Sequence, residues 1–347
     1  MTSSPKEDLQ KLIELRQRHL QKLKEQQAML GLTAPASLLL QIEDIETEIE
    51  ALQEDLAGFN APTETEHTEA PLVYIHNWGK KPATWPDTPH RLDWSRPGQF
   101  EQQPNGARSV PPPAAWRDDL LPQMAALPAE TGASDWIRLA GNCALSTGFA
   151  FGTMFRAKDR HQIEVAQYIP GTGIEYWTSN APVPKQIDPP SFTPLPAVGT
   201  PNQSGQASTT NDGVIVVAAI TGKSVAGILR NVGAYFGEAE AFAQITTGET
   251  DFQTVKGVLV LEAETATRQK NNLAGWEVNA LAQSSAYLVS DFADQIKAER
   301  LHLFMAAPLS LAVFMGHYWN HVHKTVQCYE ETRSDRYYAP SCAVAVK

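Results

Sequence analysis

Cysteine is scarce in this chain: Cys143, Cys328 and Cys342 are an odd set with no Cys-x-x-Cys spacing. That excludes a disulfide framework and a zinc ribbon, and it fits reduced structural thiols in a cytosol. Long apolar runs are also missing. None reaches the roughly 18 residues of a membrane span, and the first residues are charged rather than those of a signal peptide, so the expectation is a cytoplasmic protein with no membrane partner. Positive charge is short as well: 28 Lys and Arg against 39 Asp and Glu leave a net charge of −11. Coating long nucleic acid depends on clustered cations and is excluded on that ground, whereas a small anionic ligand needs only a few local donors. Finally, no Gly-x-Ser-x-Gly elbow and no Cys–His signature is present. No catalytic constellation stands out, and no cofactor is expected.

What is present begins with helices. The 347 residues are enough for two domains at roughly 150 residues each. From Glu7 to Leu30 the chain is charged and Gln-rich, with Leu9, Ile13, Leu20, Leu23 and Leu30 apolar, and Gly31 ends the segment. Thr33 and Pro35 open a second helix carrying Leu38, Ile42, Ile45, Ile49, Leu52 and Leu56. Their steps alternate four and three, the seam of a coiled coil. Residues 1–57 therefore read as an antiparallel helical hairpin, an interaction module too narrow for an active site.

Residues 58–70 read as a linker, and 71–134 as a Trp- and Pro-rich stretch that wraps the following domain with buried indoles, Leu72–His76 being a strand within it. Residues 135–347 follow as an α/β domain. Strands are expected at 135–139, 163–168, 213–219, 258–262 and 301–306, with helices at 144–155, 224–235 and 276–299. Apolar strands alternating with helices argue for a mainly parallel sheet. The aperiodic stretch 187–211 separates two halves, about 135–200 and 213–347. The closing segment runs Leu301–Ala307, Pro308, Leu311–Asn320 and Thr325–Tyr329, a strand, turn, helix and strand.

Several motifs invite chemistry. Thr221-Gly222-Lys223-Ser224 offers a hydroxyl, a flexible glycine and a cation at a helix start, but Val217 stands where a phosphate loop needs glycine. Two readings stand there: an anion-binding turn, or a capped helix with a solvated lysine. His317 and His321 share a helical face with His323 nearby, yet Tyr318 replaces the glutamate of a zinc protease, and only Cys328 or Glu330 offers itself as a third ligand. Glu262 and Glu264 are expected to share one face at a strand end.

Three stretches carry a resemblance: Trp136–Gly141 with Leu145–Gly152, Val214–Gly222, and His302–Pro308 with Leu311–Gly316. In this order they resemble the SAVED domain, a nucleotide-sensing module of bacterial antiphage systems built from two fused CARF-like, Rossmann-type halves. The resemblance implies an α/β sensor for a cyclic oligonucleotide, commonly a cyclic tri- or tetra-adenylate from CBASS or CRISPR systems. It also implies self-assembly on ligand binding and the switching of an effector. In place of a fused effector this chain has the hairpin, which resembles N-terminal helical modules of conflict-system proteins and implies an effector in trans. The ligand is then expected at the strand-end turns Gly141-Asn142-Cys143, Thr221-Gly222-Lys223 and Ala307-Pro308-Leu309-Ser310, through backbone amides and small polar groups. Trp177 is the candidate for base stacking or else a core residue, and Arg138, Arg230 or Lys223 the candidates for phosphate. A ring nuclease degrading the cyclic ligand and a scaffold without ligand remain the other expectations.

Overall fold

The computed structural model describes residues 70–77, 85–95, 99–102, 108–132, 134–169, 173–185, 187–198, 211–220, 223–247, 253–267, 273–332 and 338–346, and 16–21, 23, 24, 27, 42 and 45 near the N-terminus. Two compact units are formed, Met1–Thr68 and Glu69–Lys347. The described residues of the first unit are helical, and Leu23, Ile42 and Ile45 are buried together with Leu20 packed on them. The rest of the expected hairpin lies outside the described residues.

In the second unit, β1 (Leu72–His76) and β2 (His90–Asp93) lead to a short ladder, β3 (Glu101–Gln102) with β4 (Arg108–Ser109), and then to α1 (Leu121–Glu130), entered through a π-helical turn at Trp116–Leu120. There follow β5 (Trp136–Ala140), α2 (Leu145–Met154), β6 (Gln162–Ile169) and β7 (Gly173–Thr178). These strands form one sheet in the order β2-β1-β5-β6-β7, parallel except at β7. The first sheet thus begins at Leu72. The half expected from residue 135 reaches upstream, because the Trp- and Pro-rich stretch supplies strands and a helix as well as indole anchors. Trp94 and Trp116 are fully buried and meet edge to face at 5.8 Å.

The second sheet contains β8 (Thr193–Val198), β9 (Asp212–Ala218), β10 (Gly257–Glu262), β11 (Arg300–Ala306), β12 (Thr325–Glu331) and β13 (Tyr338–Ala345). Its helices are α3 (Val225–Phe236), α4 (Ala239–Gln244), α5 (Glu264–Thr267), α6 (Gly275–Gln295) and α7 (Leu309–Tyr318). The order is β13-β12-β11-β9-β10-β8, with antiparallel strands only at the two edges. Without β8, the sequence β10-β9-β11-β12-β13 repeats β2-β1-β5-β6-β7. The expected pair of α/β halves is therefore present, related by a pseudo-twofold, with β5 and α2 matching β11 and α7.

The shared core lies between the sheets. It joins Val73, Ile75, Ile137 and Leu139 of the first half to Leu301, Leu303 and Val326 of the second. The helices α2 and α7 fill the middle of this layer: residues 146–153 and 310–317 are all buried, so neither helix has a polar face. They cross on glycine. A Cβ on Gly152 would overlap the Val313 carbonyl, and one on Gly316 would overlap the Phe149 carbonyl. The outer face of the second sheet is covered by α3, whose Ile228, Leu229 and Val232 pack on Val214, Val216 and Phe304.

Candidate ligand site at the strand ends

Both sheets turn their parallel strand ends toward the starts of α2 and α7. After β5, Gly141 takes φ +116°, and its lack of a side chain lets the turn lie against the Ile75 backbone of β1. Asn77, buried just past β1, pins the residues after Gly141. Its backbone N–H donates to the Asn142 carbonyl at 3.1 Å, its Nδ2 donates to Thr147 Oγ1 at 2.6 Å, and its Oδ1 accepts from the Ala144 N–H at 2.8 Å. A strand-end asparagine of the first parallel strand thus caps the helix attached to the next strand.

The matching turn after β11 is Ala306-Ala307-Pro308. The Pro308 carbonyl accepts from the Leu311 N–H at 3.1 Å, and Pro308 holds φ −61°, suited to a helix entry. Ser310 is fully buried and its hydroxyl lies 3.4 Å from Gln167 Oε1 near the end of β6. At the other helix, the Ser146 N–H donates to Glu330 Oε1 near the end of β12 at 2.6 Å. The Ser146 and Ser341 hydroxyls share a hydrogen bond of 2.8 Å, and the Cys342 thiol donates to the Ser146 carbonyl at 3.5 Å. Each helix start is therefore met by the opposite half, which brings the two sets of strand ends to one edge of the unit. Open α/β sheets bind ligands at such edges.

The expected residues fall into three groups. Gly141, Asn142, Ala307, Pro308 and Ser310 lie at this edge. Lys223 reaches it too, bonded to Glu331 at the end of β12 at 2.7 Å, while Thr221 and Gly222 lie outside the described residues. The Ser224 hydroxyl accepts from the Gly227 N–H and caps α3. Trp177 is elsewhere: it pairs with Val165 inside the first sheet, is 8% exposed, and packs on Gly275 at the start of α6. Arg138 sits in mid-strand, 3.2 Å from Glu164 and over the Tyr176 ring, and Arg230 pairs with Glu240 on the outer helices. All three basic candidates thus carry a carboxylate partner. Because the pseudo-twofold relates β5 to β11, residues 141–144 correspond to 305–308.

The other motifs dissolve into packing. His317 Nδ1–H donates to the Phe155 carbonyl inside the core, and burial lowers its pKa to about 4. His321 and His323 are exposed, and among the described residues no group of three His, Cys, Asp or Glu is placed to hold a metal. Glu262 ends β10 whereas Glu264 already belongs to α5, so the two do not share a strand face. Burial raises the thiol pKa of Cys143 and Cys328. The sequence reading missed Asn77 and Gln167 and weighed Glu330 only as a metal ligand. Asn77 had a signal in its place directly after an apolar strand, but the other two roles depend on strand register.

The family "SMODS-associated and fused to various effectors sensor domain", SAVED, matches residues 120–344. This chain belongs to the SAVED family. Among solved structures it is similar to the Acinetobacter baumannii Cap4 SAVED/CARF-domain containing receptor with the cyclic trinucleotide 3'3'3'-cAAA, at 13% identity and TM-score 0.52. The same receptor with 2'3'3'-cAAA gives 14% identity and TM-score 0.51. The alignments cover 93% and 92% of this chain but only 65% and 64% of that receptor. At such identity the likeness is one of fold, and the SAVED fold is the one that the two matched sheets display. No curated protein sequence matches the chain. Among the described residues, no helix of this SAVED protein is long and apolar enough to cross a membrane.

Proposed function

We propose that this SAVED protein is a receptor for a cyclic oligonucleotide of the tri- or tetra-adenylate type in antiphage defence. On binding, it assembles with further copies and signals through its N-terminal helices to an effector in trans. The observation that carries this reading is the edge where the ends of both sheets and the starts of α2 and α7 converge across the pseudo-twofold. A cyclic ligand presents several similar edges, and a surface built twice from one motif can meet more than one of them. Asn77 and Gly141 hold one turn in place without a ligand, which lowers the ordering cost of binding. Family membership supports the sensing role, and the solved relatives bound to cyclic trinucleotides support the ligand class.

The test is a thermal-shift and size-exclusion screen against cyclic di-, tri- and tetranucleotides. A ligand that binds only the folded protein adds about 2.7 kcal/mol at a hundred times its Kd. One cyclic oligonucleotide should raise the Tm and enlarge the particle together, and chromatography of the mixture should return it intact. No response across the panel would refute the receptor reading, and cleavage products would convert it to a ring nuclease.

A further inference from the structure

The pseudo-twofold makes a comparison possible within one chain. With Gly152 matched to Gly316, Ile137 falls on Leu301, and their strand partners Ile163 and Val326 match in turn. Four residues further along β6 and β12 stand Gln167 and Glu330. These are the two residues that meet the start of the opposite helix, and they differ by one charge. Glu330 is 6% exposed and accepts from the Ser146 N–H at 2.6 Å, a charge-assisted bond, while Gln167 meets Ser310 at 3.4 Å. The imbalance extends to the next residue, where β12 carries Glu331 with Lys223 bound to it at 2.7 Å and β6 carries the uncharged Tyr168.

We propose that Glu330 is a specificity-determining residue that makes the strand-end site one-sided. Its fixed carboxylate bars phosphate from the β12 end, so that the anionic edge of a ligand lies toward Gln167 and the first half. The inference rests on the receptor reading above and adds the orientation in which the ligand is held. Like charges brought together across an interface suppress the wrong arrangement more than they strengthen the right one. A duplicated site is left with only one of its two orientations.

Two substitutions test this with the cyclic trinucleotide that binds the wild type. Glu330→Gln keeps an acceptor for the Ser146 N–H and removes the charge; its affinity should rise above that of the wild type as the second orientation opens. Gln167→Glu places the barrier on the open side and should weaken binding about tenfold or more. Both variants are first shown to be folded by their melting curves, and if Glu330→Gln fails to fold, Gln167→Glu decides alone. Unchanged binding in Gln167→Glu, or binding no tighter than that of the wild type in a folded Glu330→Gln, overturns the proposal while leaving the receptor reading in place. Absence of binding by the wild type itself removes the receptor reading instead.

Discussion

At the scale of single residues, burial decides more chemistry here than motif does. His317 looks in the sequence like one arm of a metal site, yet its ring is enclosed and its Nδ1–H is spent on the Phe155 carbonyl. Loss of water around the imidazolium lowers its pKa from 6.5 to about 4, with His161 adding a smaller push in the same direction. The His302 pKa is lowered too, by burial, against the opposing effect of Asp212, 3.2 Å away. Because the folded values lie below the unfolded one, the unfolded chain takes up protons first as pH falls. Stability is full above pH 6.5 and declines as the pH drops toward the folded values. For His317 alone the loss is about 2 kcal/mol by pH 5, at 1.36 kcal/mol per unit. Urea titrations at pH 7.5 and pH 5.0 should show it, and His317→Gln should flatten the difference; equal midpoints in the wild type would contradict the assignment.

At the scale of elements, the legible parts of the sequence are those whose environment is uniform. The strands β9 and β10 are buried on both faces and read as apolar runs, β11 is apolar apart from Arg300 and His302, and α2 and α7 lie inside apolar segments. The edge strands do not. In β8, Pro194 and Pro196 break every propensity rule, and the strand survives because a sheet edge asks for backbone donors on one side only. Nor does the strand order, which sets Gln167 and Glu330 at equivalent positions, leave a trace in either local sequence. The helix crossing can be tested. Gly152→Ala or Gly316→Ala sets a methyl group against a backbone carbonyl that cannot rotate away, so α2 and α7 must separate along their length. Each should cost about 3 kcal/mol in urea unfolding. Gly173→Ala, where a Cβ would meet nothing but the backbone sits at φ +105°, gives the contrast of strain without crowding. A crossing variant as stable as the wild type would mean that the helices do not pack this closely.

At the scale of the whole molecule, the duplication does not produce two independent domains. Each half of an ordinary doubly wound protein covers both faces of its sheet with its own helices. Here the inner faces of both sheets share one layer, α2 from the first half and α7 from the second, and a single core runs from Val73 through Phe149 and Phe314 to Val326. Trp319 sits in that layer, fully buried against Phe149 at 5.0 Å, with its indole N–H donating to Ser285 of α6. Removing one half would expose the inner face of the other together with its central helix, a large apolar surface that water opposes. The residues from Glu69 onward should therefore unfold as one cooperative unit, and the halves expressed separately should not fold. Native-state hydrogen exchange reads this directly: the central amides of β5 and β9 should exchange only through global opening, with equal free energies. Gly152→Ala should lower both together although it lies in the first half. Protection lost in β5 and retained in β9 would show instead that the two halves open separately.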